Sequence, residues 1–373
     1  MIWGDPKVLG VKLINIAYNK VGHHLSFLSD MSYIKLNSIG RKQYHDIFMG
    51  QIIKEQTFLK EELSTTLWGI KFRNKICNSA GMFKSGEGYD ICANLGAGAY
   101  LGGTSTYNPR LGNTKQNIHL PFMRLAKSKM TLNYLGLPNL GDEVLSKIEF
   151  TNRKVEGCPI GWSVMKSPDY SKEEAEDKLI KSLFLYQDNP QVDFMEINVS
   201  CPNIKKSSID ILGSLNYISE EFLKKRKRHF PIIIKLSNDV TEECLTDILK
   251  SLVDLGFDGV NIGNTSTDYS TIINEIHNHE KKLFNTFTTT FNGGIGGKPL
   301  KSRSLQLCKF ASQYLKTLKV KQEFHIIRTG GIDSHNDIID SQSAGVSLNQ
   351  WQTGFFFNYL EHGNNVYKNV LNL

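Results

Sequence analysis

Asn198-Val199-Ser200-Cys201-Pro202-Asn203 gathers two carboxamides, a hydroxyl and a thiol into six consecutive residues. A carboxamide both donates and accepts hydrogen bonds, so a pair of them can orient a ligand carrying both kinds of group. A thiol between them acts as a base or nucleophile once its pKa is tuned. The alternative is a polar turn with a half-buried structural cysteine, the commoner role of this residue. The density of amides and the restriction imposed by Pro202 favour chemistry.

Such a segment needs a scaffold, and the chain supplies a regular one. From about residue 66, short apolar runs recur, each ending in Gly, Ser, Thr, Asn or Lys. They are Ile76–Ala80, Ala99–Gly103, Ile160–Met165, Phe194–Val199, Pro231–Leu236, Gly259–Ile262, Phe324–Ile327 and Gly345–Gln350. Helix-like stretches such as Lys172–Tyr186, Glu242–Leu255 and Leu300–Leu318 separate many of them. Apolar runs alternating with helices imply a parallel sheet covered on both faces. Eight such units imply a closed α/β fold, the (β/α)8 or TIM barrel, with an open doubly wound sheet as the alternative. Polar residues follow nearly every run, and in a barrel those positions converge on one mouth.

The other strand ends extend the site. The first closes on Asn78-Ser79-Ala80-Gly81-Met82-Phe83-Lys84, where small residues admit a flat ligand and Lys84 reaches an anion. The second closes on Gly102-Gly103-Thr104-Ser105-Thr106. The fifth closes on Lys235, whose charge needs either an anionic cofactor or a salt bridge. Asn264 and Thr265 follow the sixth, and Gly293-Gly294-Ile295-Gly296-Gly297 comes later. Gly330-Gly331 and Gln352-Thr353 follow the seventh and eighth, where barrels hold phosphate on backbone N–H groups. Each glycine pair alone is an ordinary turn, but together, at one mouth, they point to a phosphate-bearing cofactor. No GxxxxGK[ST] loop, dinucleotide glycine fingerprint, GxSxG elbow or HExxH helix occurs, which leaves a flat redox cofactor such as FMN.

Composition narrows the class. With 373 residues, 40% of them hydrophobic, one large domain and an appendage are accommodated. A net charge of +7 spread along the chain is no nucleic-acid signature. Six scattered cysteines without a CxxC pair predict a reducing compartment and neither a disulfide framework nor a metal site. No apolar stretch is long enough to span a membrane, and the N-terminus lacks a secretory signal pattern.

Residues 66–373 resemble the dihydroorotate dehydrogenase family. The resemblance rests on Asn78–Lys84, Asn133-Tyr134-Leu135-Gly136-Leu137-Pro138-Asn139, Asn198–Asn203, Gly293–Leu300 and Thr329-Gly330-Gly331-Ile332, in family order. It implies FMN at the barrel mouth and oxidation of dihydroorotate to orotate. It assigns Asn133, Leu135, Gly136, Leu137, Asn198, Asn203, Asn264 and Thr265 to the substrate. Ser79, Ala80, Gly81, Lys84, Thr104, Ser163, Asn198, Lys235, Gly297, Gly330, Gly331, Gln352 and Thr353 would contact FMN. Cys201 would take the proton, and Lys235 would stabilise negative charge on the reduced ring.

Two classes of the family are mixed here. Cys201 and Leu137-Pro138-Asn139 resemble the cytosolic class, whereas Lys84, Gly103-Thr104 and Lys298-Pro299-Leu300 resemble the membrane-associated class. Residues 1–62 read as a helical extension before a barrel of residues 63–373. Two apolar clusters mark it, Phe27, Leu28, Met31, Ile34 and Leu36, then Phe48, Met49, Ile52, Ile53, Phe58 and Leu59. By pattern it is a helical cap; the resemblance turns it toward a membrane surface, where it would admit quinone. The expected location is a peripheral membrane position facing a reducing compartment, with the cytoplasm as the alternative. Quinone is the first acceptor and fumarate the second. An NAD-linked acceptor would need a partner subunit. Another FMN barrel acting on a pyrimidine-like ring, or a phosphate-binding barrel without catalysis, are the competing readings.

Overall fold

The structure is a computed structural model and describes residues 29–50, 61–150, 155–199 and 208–373. Eight parallel strands form one sheet: β1 Ile76–Asn78, β2 Tyr100–Ser105, β3 Ile160–Val164, β4 Phe194–Asn198, β5 Ile232–Leu236, β6 Gly259–Ile262, β7 His325–Thr329 and β8 Leu348–Trp351. Their order, β1-β8-β7-β6-β5-β4-β3-β2, is that of a barrel. The ends of the sheet, β1 and β2, meet through a side chain. Asn78 Nδ2 donates to Leu101 O at 2.7 Å, and Asn78 Oδ1 accepts from Leu101 N at 3.1 Å. The carboxamide thus stands in for the backbone ladder at the seam.

Each of the eight expected strands is present, Gly259–Ile262 with the expected limits and the other seven with shifted ones. The first stops at Asn78 because Ser79 onward turns into the mouth. The last begins at Leu348, since Gly345 occupies a left-handed turn at φ +81°. The seventh extends to Thr329 through Arg328, a buried cation satisfied by Ser304, Ser341 and the carbonyls of Lys301 and Asp337. A charged residue in a strand hides its end from an apolar pattern.

Alternation along the strands builds two cores. Met195, Ile197, Ile232, Ile234, Val260, Ile262 and Ile326 face the surrounding helices. Leu101, Phe194, Ile233, Ile327 and Leu348 fill the barrel interior together with Trp68 and Phe72. Those two aromatics come from the hairpin Thr65–Leu67/Ile70–Phe72, which plugs the bottom. Burying a large apolar side chain contributes about 1.5–3 kcal/mol, so these layers hold the frame that fixes the strand ends.

A third cluster lies over the mouth. Strands Phe122–Leu125, Met130–Asn133 and Gly294–Gly297 form an antiparallel sheet. Helix α1, Asp30–Met49, covers its edge. Ser38 Oγ accepts from Phe122 N at 3.0 Å and donates to Phe122 O at 3.2 Å, and Arg124 N donates to Asn37 Oδ1 at 3.3 Å. Side chains of α1 thereby satisfy groups that an open edge would leave exposed. Ser29 caps the helix by accepting from Ser32 N, and Asp30 sits in its first turn, favourable for the helix dipole.

One face of α1 is buried and the other open. Ile34, Asn37, Ser38 and Phe48 are buried, while Ser32, Lys35, Leu36, Ile39, Lys42 and Asp46 are exposed. Leu36 therefore does not join the apolar cluster expected from the sequence; helical spacing carries it away from Ile34. Phe27, Leu28, Ile52, Ile53, Phe58 and Leu59 lie outside the described residues. Among the described residues, no helix is long and apolar enough to cross a membrane.

Candidate active site

A cavity of about 500 Å³ opens where the strand ends, the antiparallel sheet and α1 meet. Among the sequence-predicted residues, Ala80, Gly81, Lys84, Thr104, Asn133, Leu135, Gly136, Leu137, Asn198, Lys235, Asn264, Thr265, Gln352 and Thr353 line it. Ser79, Ser163, Gly297, Gly330 and Gly331 do not. Ser163 lies one layer out, its hydroxyl 2.9 Å from that of Thr104. Cys201 and Asn203 fall outside the described residues.

Three asparagines converge from different elements. Asn198 ends β4 directly beside Lys235 in the parallel register. Asn264, after β6, donates from Nδ2 to Asn198 Oδ1 at 3.4 Å while its Oδ1 accepts from Thr265 N at 2.8 Å. Asn133 ends the antiparallel strand opposite and donates weakly to Gly294 O at 3.5 Å. The loop after it turns through Gly136 and Leu137, both left-handed at φ +70° and +58°. A side chain at Gly136 would collide with Asn113, so the close approach of two loops requires glycine there.

Lys235 is deeply buried, and both sequence-based options for its charge bear on it. Its Nζ lies 3.2 Å from Glu196 Oε1, a salt bridge, and 3.2 Å from Gln350 Oε1, yet it also faces the cavity. Lys84 differs. Among the described residues it has no ion-pair partner, and its pKa is lowered to about 8, by burial first and by the nearby Arg41 charge second. Glu87 is engaged elsewhere, by His45 Nε2 at 3.1 Å and by the N–H groups of Lys84 and Ser85. Burial pushes the Glu87 carboxyl up, but these hydrogen bonds outweigh it and hold it below the ordinary range.

Sequence reasoning expected the extension at the quinone entrance and named Phe48 in one of its apolar clusters, but it missed the polar part of the α1 wall. Asn37, Arg41, Tyr44, His45 and Phe48 all line the cavity. The ring of Phe48 stacks near Phe83 at 5.9 Å and meets Tyr359 edge-on at 5.0 Å. The Arg41 Nε and the Tyr44 hydroxyl are buried without hydrogen-bond partners among the described residues. Glu196 was missed too, although an acid inside the apolar run Phe194–Val199 was a visible signal.

The dihydroorotate dehydrogenase family profile matches residues 62–372. The chain belongs to the dihydroorotate dehydrogenase family. Dihydroorotate dehydrogenase (quinone) of Yersinia pseudotuberculosis is 30% identical over 312 residues, spanning 81% of this chain and 84% of the relative. That of Proteus mirabilis is 28% identical, spanning 82% and 84%. Two solved structures of the Eimeria tenella enzyme share the fold. The ferulenol complex aligns with a TM-score of 0.71 at 22% identity, covering 89% of each chain. The ligand-free form aligns at 0.72 and 23%, covering 88% of this chain and 92% of that one.

Members of the dihydroorotate dehydrogenase family depend on flavin, and the mouth suits such a group. After β7, Gly331 sits at φ +74°, and a Cβ there would lie 2.5 Å from Lys301 Cα, leaving bare backbone on the rim. After β8, helix Thr353–His362 begins without a side-chain cap, so no side chain of its own N-cap satisfies its first N–H groups, which suits an anionic group there.

Proposed function

We propose that this chain oxidises dihydroorotate to orotate with FMN and passes the electrons to a quinone. The observation that carries the reading is family membership over nearly the whole barrel, joined to a cavity lined by Asn133, Asn198 and Asn264. The substrate loses a hydride from one ring carbon and a proton from its neighbour, and the single bond between them becomes double. FMN supplies a ring that accepts that hydride and later yields two electrons to the acceptor, which takes up two protons to become a quinol.

The chain's own residues do the rest. The three asparagines and Thr265 hold the ring amides and carboxylate of the substrate, assisted by backbone at Leu135, Gly136 and Leu137. Asn203, by the same resemblance, completes the set. Cys201 removes the proton as a thiolate. Lys235 faces the negative charge that builds on reduction. Ser79, Ala80, Gly81, Lys84, Thr104, Ser163, Gly297, Gly330, Gly331, Gln352 and Thr353 would hold FMN.

The extension supports quinone as acceptor. α1 forms one wall of the cavity, so an apolar molecule arriving there passes Tyr44, Phe48 and Phe356. Its open face carries Leu36 and Ile39, each 48% exposed, beside Lys35 and Lys42. An apolar and basic face suits a membrane surface with anionic headgroups. Residues 1–62 are accordingly the membrane-contacting, quinone-admitting part, and 63–373 the FMN barrel. Fumarate is the second acceptor, favoured by the cysteine at 201.

Steady-state turnover with a ubiquinone analogue, a menaquinone analogue and fumarate tests the acceptor. A quinone is expected to be fastest. Fast fumarate turnover with slow quinone turnover contradicts the reading.

A further inference from the structure

Directly under the cavity floor, the barrel interior holds a charged pair. Glu196 on β4 and Lys235 on β5 are 1% and 2% exposed, with Nζ 3.2 Å from Oε1. The other carboxylate oxygen accepts from Asn261 Nδ2 at 2.6 Å and from Gln350 Nε2 at 2.8 Å. Gln350 Oε1 accepts from the Lys235 ammonium at 3.2 Å, which leaves the Thr329 hydroxyl to donate to Asn261 Oδ1 at 2.8 Å, and both amides thereby turn their donors toward Glu196. Every group touching the carboxylate donates to it. That arrangement satisfies an ionised, acceptor-only group and gives no acceptor to a protonated one.

The layer below is apolar: Leu101, Phe194, Ile233, Ile327 and Leu348. A buried ion pair contributes little net stability compared with apolar packing of the same volume. The pair therefore calls for a role besides holding the barrel together. Its position suggests one, because Lys235 faces the cavity while Glu196 sits behind it.

We propose that Glu196 is a charge-balancing residue for the cofactor: its carboxylate offsets the Lys235 ammonium at the cavity floor and so sets how readily a flavin bound there takes up electrons. The inference rests on the reading that the flavin ring lies against Lys235. A cation there favours the negative charge that the ring gains on reduction. A carboxylate in contact with that cation opposes it, in surroundings that screen charge far less than water does. Without Glu196 the ring would hold electrons more tightly and release them to the acceptor more slowly.

The test is the flavin midpoint potential of holoenzyme, measured by equilibration with a reference dye, in wild type, Glu196→Asp, Glu196→Gln and Lys235→Met. Glu196→Gln is expected to shift the equilibrium toward reduced flavin by about tenfold or more, which for a two-electron couple is about 30 mV. Glu196→Asp keeps the charge and is expected to stay near wild type even where its melting temperature falls. Lys235→Met is expected to shift the opposite way. If Glu196→Gln does not retain flavin, Glu196→Gln/Lys235→Met, which leaves no unpaired buried ion, is compared with Lys235→Met and is expected to have the higher potential. Lowered melting temperatures with unchanged potentials on removing Glu196, while Lys235→Met does shift, overturn the proposal and leave the FMN reading standing. No shift in Lys235→Met overturns the premise that the ring lies against Lys235, and the proposal with it.

Discussion

At the scale of single residues, Lys84 and Cys201 carry the sharpest consequences. Burial and the Arg41 charge lower the Lys84 pKa from 10.5 to about 8, so the folded protein releases this proton before the unfolded chain does. The unfolded chain binds more protons across that window, and folding stability contributed by this group rises from about pH 8 toward 10.5. Anion binding, which needs the ammonium, runs the other way. Titrating FMN and orotate separately, the ligand held by Lys84 should bind with constant affinity below pH 8 and progressively more weakly above it. Lys84→Met should bind more weakly at neutral pH and lose that pH dependence; an unchanged profile would detach Lys84 from both ligands. For Cys201, alanine should nearly abolish flavin reduction by dihydroorotate while leaving FMN bound, and serine should retain part of the rate. Rapid anaerobic mixing measures both, and a normal rate in the alanine variant removes Cys201 as the base. Lys84, Lys235, Asn198 and Asn264 were legible because polar residues following apolar runs are conspicuous, whereas Asn133 came only with the family resemblance. Arg41 was not, since an arginine on an amphipathic helix reads as solvated until its helix is docked.

At the scale of elements, α1 is both a lid on a sheet edge and a wall of the cavity. Phe48 anchors it, packed against Phe83, Phe355 and Tyr359. Phe48→Ala is expected to destabilise the docked helix by about 3–5 kcal/mol, the usual range for emptying a buried aromatic site. Quinone turnover should therefore fall more than flavin reduction by dihydroorotate, because the barrel and its strand ends do not depend on α1. Equal losses in the two half-reactions would mean that the helix supports the whole site rather than acceptor access. The helix itself was legible as an apolar repeat, but its docking was not. Its contacts with Phe122 and Arg124 run through Asn37 and Ser38, polar residues that no apolar periodicity singles out. The strands were legible because a parallel sheet is buried on both faces and reads as apolar runs. Where a limit moved, a buried charge such as Arg328 or a left-handed turn such as Gly345 had broken the pattern.

At the scale of the molecule, the barrel is stratified. A hairpin plug and an apolar layer close the bottom, the Glu196–Lys235 layer lies above, and the cavity opens between strand ends and α1. The order follows from the chain: apolar residues inside the lower turns of the strands, polar ones at their ends, and a preceding helix to roof the result. Alternation predicts which residues face inward, yet not that an acid and a lysine on neighbouring strands would meet. That pairing depends on the register of β4 against β5, which places Asn198 beside Lys235 and Glu196 one step below. The whole arrangement is an oxidoreductase only if substrate electrons reach a flavin in that cavity. The most direct measurement is the absorbance of FMN-loaded protein on mixing with dihydroorotate in the absence of oxygen. Loss of the yellow flavin band, restored on adding a quinone, is the expected result; a band that dihydroorotate leaves unchanged contradicts the account.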